Sequence, residues 1–351
     1  MFAKSLSSSP LISVCVPVFE TERFLARCLR SVFAQDFDSF EIVVVSDASP
    51  GHDEKGRSAK KIVRIAEKEG NKFRKASNLL PVKVIFEEHH ENRGILEVRR
   101  TLTYESHGEY VFHLDSDDEI VPNALSSLWK NVFSTAPTGS ATTNTEVPSQ
   151  DNKIDIVHGS FVSGWYDKKG NFVPTEQTKC GAITYGKVQG RDIFQKWTSA
   201  EISGNVCGKL IRRNLFEKAF EKIPYTECNM ADDFLIFFFI SQFAESYIGL
   251  EEKIYRYRIN SGMSSGRKIK TLRQWQLICS AASVFTVISQ SMEEFKSISE
   301  EEINSIRAQA GFYLRNSLCQ MNETVIPELK DSAYEMLCDY WGKNAVERMR
   351  K

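Results

Sequence analysis

No stretch of this 351-residue chain is apolar for long enough to cross a bilayer. The longest unbroken run, residues 234–240, falls far short of the about 20 residues that a spanning helix needs. Residues 1–10 also lack the apolar core of a secretion signal. These absences predict a soluble, cytoplasmic protein. Docking at the inner face of a membrane stays open, since the sequence shows no strong amphipathic basic helix. Charge of one sign is missing as well: 45 Lys and Arg stand against 46 Asp and Glu, which argues against a nucleic-acid partner. The eight cysteines form no C-x-x-C pair, and several fall in apolar runs, as free thiols do in a reducing compartment. No G-x-G-x-x-G follows the first apolar run, and no G-x-x-x-x-G-K-[ST] occurs anywhere. That disfavours a dinucleotide oxidoreductase and a P-loop enzyme.

What is present is an alternation of strands and helices. Residues 11–18 are a β-branched run that reads as a buried strand, stopped at its carboxyl end by Pro17. Between 24 and 35 the apolar residues Phe24, Leu25, Cys28, Leu29, Val32 and Phe33 fall on one helical stripe. A second strand, 41–47, ends on Asp47. A basic helical segment over 60–68 is expected to stop at Gly70, and 82–87 gives a third strand. After Asn92-Arg93-Gly94 a helix runs to Ser106, and a fourth strand from Tyr110 ends on Asp115, Asp117 and Asp118. Right-handed crossovers then imply a parallel, doubly wound sheet, whose ligands bind outside the carboxyl strand ends. Pro17, Asp47 and the acidic cluster all lie there.

Two readings of that cluster stand open. Negative charge ahead of a helix from about Asn123 suits the helix dipole, while aspartates spaced D-x-D suit a hard divalent cation shared with phosphate. A calcium hand is excluded, because counting from Asp115 places Ile120 and Ser126 where Gly and a bidentate Glu are needed. Residues 135–153 are polar and without period, which predicts a flexible loop. Beyond them, 154–166 and 172–173 read as a hairpin and 205–211 as a short strand. Asp232 and Asp233 open the densest apolar segment, either as helix caps or as reactive carboxylates. An alternating strand aims Arg256 and Arg258 to one face and Tyr255 and Tyr257 to the other. From Thr271 on, the pattern is helical, and its aromatic and Met residues read as packing.

Together these segments resemble the family 2 glycosyltransferases of the GT-A fold over about residues 11–265. The resemblance rests on Val14-Cys-Val-Pro17-Val18-Phe19-Glu20, on Ser46-Asp47-Ala48-Ser49, on Asn92-Arg93-Gly94 with Val98-Arg99-Arg100, on Asp115-Ser116-Asp117-Asp118, on Asp232-Asp233, and on Tyr257-Arg258 with Ser261 and Ser264. It implies a Rossmann-like α/β fold: a mostly parallel sheet flanked by helices, with a helical C-terminal appendage. It divides the chain into a nucleotide-sugar-binding half (10–134), the loop (135–153), an acceptor-binding half (154–265) and a helical region (266–351), through whose helices an oligomer could form.

The implied activity is metal-dependent inverting transfer from a nucleoside diphosphate sugar, a UDP-sugar, to a hydroxyl of a glycan, lipid-linked or protein acceptor. Asp233 would be the catalytic base. Asp117 with Asp115 would hold Mn2+ or Mg2+. Pro17, Val18, Phe19, Glu20, Asp47, Asn92, Gly94, Arg99, Asp115, Ser116 and Arg258 would bind the donor, with Asp47 at the base. Five positions depart from the family pattern: Glu20 and Arg100 each stand in place of Asn, Ser46 of an acid, Asp232 of Glu and Asn260 of His. A non-catalytic sugar-nucleotide or glycan-binding scaffold of the same fold is the alternative. Nucleotidyl transfer is disfavoured, since no lysine- and glycine-rich loop follows the first strand.

Overall fold

The computed structural model describes residues 9–133, 153–175, 181–259, 261, 268–295 and 297–350. The loop expected at 135–153, save its last residue, and Asn260 and Ser264 lie outside the described residues. The N-terminal half alternates as expected. Strands β1 (Ile12–Val18), β2 (Phe40–Ser46), β3 (Lys83–Glu88) and β4 (Tyr110–His113) are separated by helices α1 (Glu22–Phe33), α2 (Ala59–Ala76) and α3 (Ile95–Tyr104). The order β3-β2-β1-β4 is parallel throughout. Period-2 alternation feeds two cores. Val14, Val16, Ile42 and Val44 face α1 and α2, while Cys15, Val43 and Val45 face the other layer. Each such side chain fully buried contributes about 1.5–3 kcal/mol.

Beyond β4 the sheet becomes mixed. The short β5 (Glu119–Ile120) and helix α4 (Ala124–Lys130) follow the acidic turn, and β6 (Ile156–Tyr166) and β7 (Phe172–Thr175) form the expected antiparallel hairpin. Next come β8 (Gly186–Gln189), α5 (Asp192–Thr198), β9 (Lys209–Arg212), α6 (Arg213–Lys222), α7 (Asp232–Phe243) and β10 (Ser246–Arg258). Strand β9 runs antiparallel to both β4 and β6, and β6 pairs parallel with β10. The parallel character therefore belongs to the first half, and β9 is the seam. Helix α7 is apolar nearly all round and is buried on all sides from Leu235 to Ile240.

The C-terminal region is helical: α8 (Leu272–Cys279), α9 (Ala281–Met292), α10 (Glu300–Glu323), α11 (Lys330–Trp341) and α12 (Lys343–Arg350). Helix α9 packs its Val284, Val287 and Ile288 against the α7 core, while Trp275, Leu318, Leu337 and Val346 build a separate small core. Among the aromatic residues read as packing, Phe312 instead stands exposed. No helix of the described residues is long and apolar enough to cross a membrane.

One boundary differs from the sequence reading. Gly70 does not stop α2, which continues six residues further. Two contacts explain the difference. The Phe33 ring of α1 packs where a β-carbon at Gly70 would stand. Four residues on, the buried Arg74 donates to the carbonyls of Gln35 (2.7 Å), Phe37 (2.8 Å) and Leu80 (2.6 Å), fixing the last turn. The glycine serves close helix packing. Gly70→Ala is therefore expected to destabilise by about 1–3 kcal/mol through overpacking, although helix propensity alone favours Ala by about 1 kcal/mol. Urea denaturation decides between the two signs.

Candidate active site

The carboxyl ends of the parallel strands β1, β2 and β4 lie together at one edge of the sheet. The chain is strained there: Glu20 after β1, Ala48 after β2 and Ala231 before α7 all adopt left-handed conformations, with φ of 55°, 50° and 65°. Such conformations cost on the order of 1–3 kcal/mol each and persist where tertiary contacts hold them. Glu20 is held by its own N–H, which donates to Ser49 Oγ at 2.8 Å. Phe19 and Glu20 lead out from the end of β1, where Pro17 and Val18 pair with Val45 and Ser46.

Asp47 is buried, and its carboxylate accepts bonds from its own chain. Oδ1 receives Arg93 N–H at 2.9 Å and lies 2.6 Å from His89 Nδ1. Oδ2 receives Gly94 N–H and Asn92 Nδ2, both at 2.9 Å. The family pattern assigns Asp47 to the nucleotide base, whereas here it folds the 89–94 loop and so sets the start of α3. Gly94 caps that helix at φ 87°, and a β-carbon there would lie 2.9 Å from the Cys228 carbonyl oxygen. His89, which also meets Thr101 Oγ1 at 2.9 Å, is a member of this network that the sequence reading missed.

Helix α3 in turn carries Arg99, which the resemblance assigned to the donor. It is buried, and three carboxylates surround it. Nε donates to Asp232 Oδ2 at 2.7 Å, and Nη2 lies 3.3 Å from Asp115 Oδ1 and 3.4 Å from Asp233 Oδ1. Its charge is thus committed to protein carboxylates from β4 and α7. Burial opposes that charge, but Asp233, Asp232 and Asp115 outweigh it and hold the guanidinium firmly protonated.

One cation among three acids leaves negative charge over. Burial, reinforced by Asp232 and Asp115 against the pull of Arg99, pushes the Asp233 carboxyl up to about 7. Its side chain is 28% exposed, and its Oδ1 has no hydrogen-bond partner. A carboxylate that takes up a proton near neutrality at an open site has the properties of a general base.

The second cation nearby is Lys209 of β9, which the sequence reading did not select. It is fully buried, donates to the carbonyl of Asn205 and to Ser203 Oγ (3.3 Å), and lies 5.1 Å from the centre of the Phe237 ring, one turn beyond Asp233. Burial draws its pKa down to about 7, with Asp233 opposing. A lysine between Cys207-Gly208 and Leu210-Ile211 was a visible signal. His113, buried two residues before Asp115, has no hydrogen bond on either ring nitrogen, and burial pulls its pKa down, so it is a neutral packing residue.

The acidic cluster divides its labour. Asp118 is buried and structural: it accepts from Tyr255 Oη at 2.8 Å and from Arg258 N–H at 2.7 Å, joining the turn to β10. Ser116 is tied to Thr21 at 2.6 Å. Arg258 has its guanidinium between the Phe24 and Tyr166 rings, 4.3 and 4.6 Å from their centres. Asp115 remains 38% exposed. Asp117 is pushed up by burial and then by Asp115, a repulsion that a shared cation would relieve. Among the described residues no group of three potential metal-ligating side chains occurs. Two carboxylates at an open strand end nevertheless fit Mg2+ or Mn2+, which commonly take one or two carboxylates, with phosphate and water completing the shell.

Replacing Arg99 with Met leaves three carboxylates without their buried cation. A loss of about 3 kcal/mol is expected at pH 8, shrinking toward pH 5 as Asp233 takes up its proton. Urea titrations at the two pH values test this; a loss independent of pH contradicts the charge balance.

A family model described as Glycosyl transferase family 2 matches residues 13–220. EpsH of Bacillus subtilis is 23% identical over 317 residues, covering 90% of this chain and 78% of its own. Glycosyltransferase GlyA of Streptococcus pneumoniae is 25% identical over 260 residues; the match covers 72% of this chain and 31% of GlyA. The crystal structure of S. aureus TarS 1-349 in complex with UDP-GlcNAc aligns over 97% of this chain and 91% of its own, with a TM-score of 0.49 and 19% identity.

Proposed function

The chain belongs to glycosyl transferase family 2 and is a glycosyltransferase, and within that class we propose that it moves a sugar from a nucleoside diphosphate sugar, a UDP-sugar, to an acceptor hydroxyl with inversion. The acceptor is a glycan, lipid-linked or protein hydroxyl of the kind used to build polysaccharides. The observation that carries this reading is Asp233, a partly open carboxylate poised near neutrality beside the D-x-D turn. On this reading residues 10–134 hold the donor, 154–265 receive the acceptor, and the helices from 266 on brace α7.

In the proposed reaction the acceptor oxygen attacks the anomeric carbon as its bond to the diphosphate breaks. The hydroxyl proton passes to Asp233, and the electron pair leaves with the diphosphate. A single displacement inverts the configuration. Asp115 and Asp117 would hold a divalent cation, which when bound supplies Lewis-acid stabilisation of the departing diphosphate. Arg99 keeps Asp233 ionisable and aligned, because its guanidinium fixes Asp232 one residue away. Pro17 through Glu20 and Asn92 with Gly94 shape the donor crevice, and Asp47 supports it through the 89–94 loop instead of offering a free oxygen. Arg258, stacked on rings, borders the same end of the sheet.

Release of nucleoside diphosphate across a panel of sugar nucleotides, with Mn2+ or Mg2+ and after chelation, tests the class. Asp233→Asn is expected to lower transfer by about 10²–10⁴-fold while donor binding persists; full transfer in that variant removes the base assignment. Asp117→Ala is expected to lose metal-dependent donor binding. With wild type, kcat is expected to rise with pH through about 7 as Asp233 loses its proton. In Arg99→Met, if turnover survives, that limb moves to higher pH, since the arginine holds the carboxyl down.

A further inference from the structure

Against the expectation that the chain has no strong amphipathic basic helix, helix α2 concentrates charge that the whole chain does not show. Seven Lys and Arg stand against two Glu within its 18 residues, in a protein of formal net charge −1. At about 100° per residue, Lys60, Lys61, Arg64, Lys68, Lys72 and Lys75 fall within an arc of about 120° that contains no acid. All six are exposed, and among the described residues no ion pair engages them. Four of them, Lys60, Arg64, Lys68 and Lys72, repeat at i, i+4, where like charges repel. The two acids of the helix, Glu67 and Glu69, lie outside the arc, about 20° from Lys60 and about 60° from Lys72.

Past the edge of the arc that Lys61, Lys68 and Lys72 form, with Phe73 about 100° further round the helix than Lys72, the seam between α1 and α2 is not filled. A groove of about 480 Å³ runs there, floored by Phe33, Ala34, Ile62, Ile65, Ala66 and Phe73. Arg30 and Lys55 also line it. Arg57 does too, but it is paired with Asp53, and Glu69 is the acid on the wall. Phe73 is 52% exposed, an aromatic left in water on the helix that carries the cations. Cations alone fit any polyanion. Cations flanking an uncovered apolar groove fit a surface that offers phosphate and hydrocarbon together.

We propose that α2 and the α1–α2 groove dock the protein on an anionic phospholipid bilayer. The surface lies on the outer layer of the sheet, away from Arg99 and Asp233, so it neither uses nor requires the catalytic assignment. Cations at headgroup level supply attraction, and Phe73 with the groove accepts acyl or glycerol surface.

The test is sedimentation of the purified 351-residue chain with vesicles of phosphatidylcholine alone or mixed with phosphatidylglycerol, at low and high salt. Wild type is expected to pellet only with the anionic vesicles and to be released by salt. Each cation removed weakens partition by about fivefold, so Lys61→Gln/Lys68→Gln/Lys72→Gln together should lose about 100-fold with an unchanged circular dichroism spectrum. Phe73→Ser should weaken vesicle binding but leave retention on heparin as in wild type. No pelleting of wild type, equal pelleting with neutral vesicles, or a triple variant that binds like wild type overturns the proposal. So does vesicle binding indifferent to Phe73→Ser, which would mark a general polyanion site.

Discussion

One buried guanidinium holds the two halves of this protein in register. Arg99 leaves α3, meets Asp115 at the end of β4, and pairs with Asp232 and Asp233 at the head of α7. A cation so placed is costly to bury and costlier to remove, because each partner carboxylate would then stand uncompensated. Its position is itself inherited. Asp47 gathers the 89–94 loop with donors from Asn92, Arg93 and Gly94, the loop sets the start of α3, and α3 aims Arg99. A change at the end of β2 is thus felt at the head of α7.

The same pairing accounts for the chemistry available at the site. Burial, with Asp232 and Asp115 adding to it, raises the Asp233 carboxyl, and Arg99 and the buried Lys209 hold that rise in check. The D-x-D-D turn has divided roles for a related reason. Asp118 is consumed by Tyr255 and the backbone of Arg258, which fixes the turn, while Asp115, which Arg99 also meets, and Asp117 repel each other. Strained backbone at Glu20, Ala48 and Ala231 lies around this crevice, where loops bend sharply to bring chain segments together.

The outer face follows other constraints. Gly70 lets α2 lie close on Phe33, and Arg74 carries the helix on for another turn and a half. Those extra turns add Lys72, Phe73 and Lys75 to the surface. A helix stopped at Gly70 has a short basic segment, whereas the full helix has a cationic arc beside an open apolar groove. The groove's helices, α1 and α2, pack on the opposite face of the sheet from α3 and α7.

The sequence by itself determined the strand and helix order of the first half, the placement of Asp47 and Asp115–Asp118 at strand ends, the hairpin of β6 and β7, and the family. These follow from local periodicity and from short motifs whose order along the chain carries information. The tertiary structure decided who holds whom. Asp47 faces its own loop and Arg99 faces carboxylates, because hydrogen-bond partners 45 to 133 residues apart cannot be read from spacing. Lys209 and Asp233 owe their shifted protonation to burial, against which each one's charge pulls the other back, and desolvation is a property of packing. Gly70 stayed helical since the Phe33 ring claimed its missing side chain, a contact between helices that local propensity does not contain.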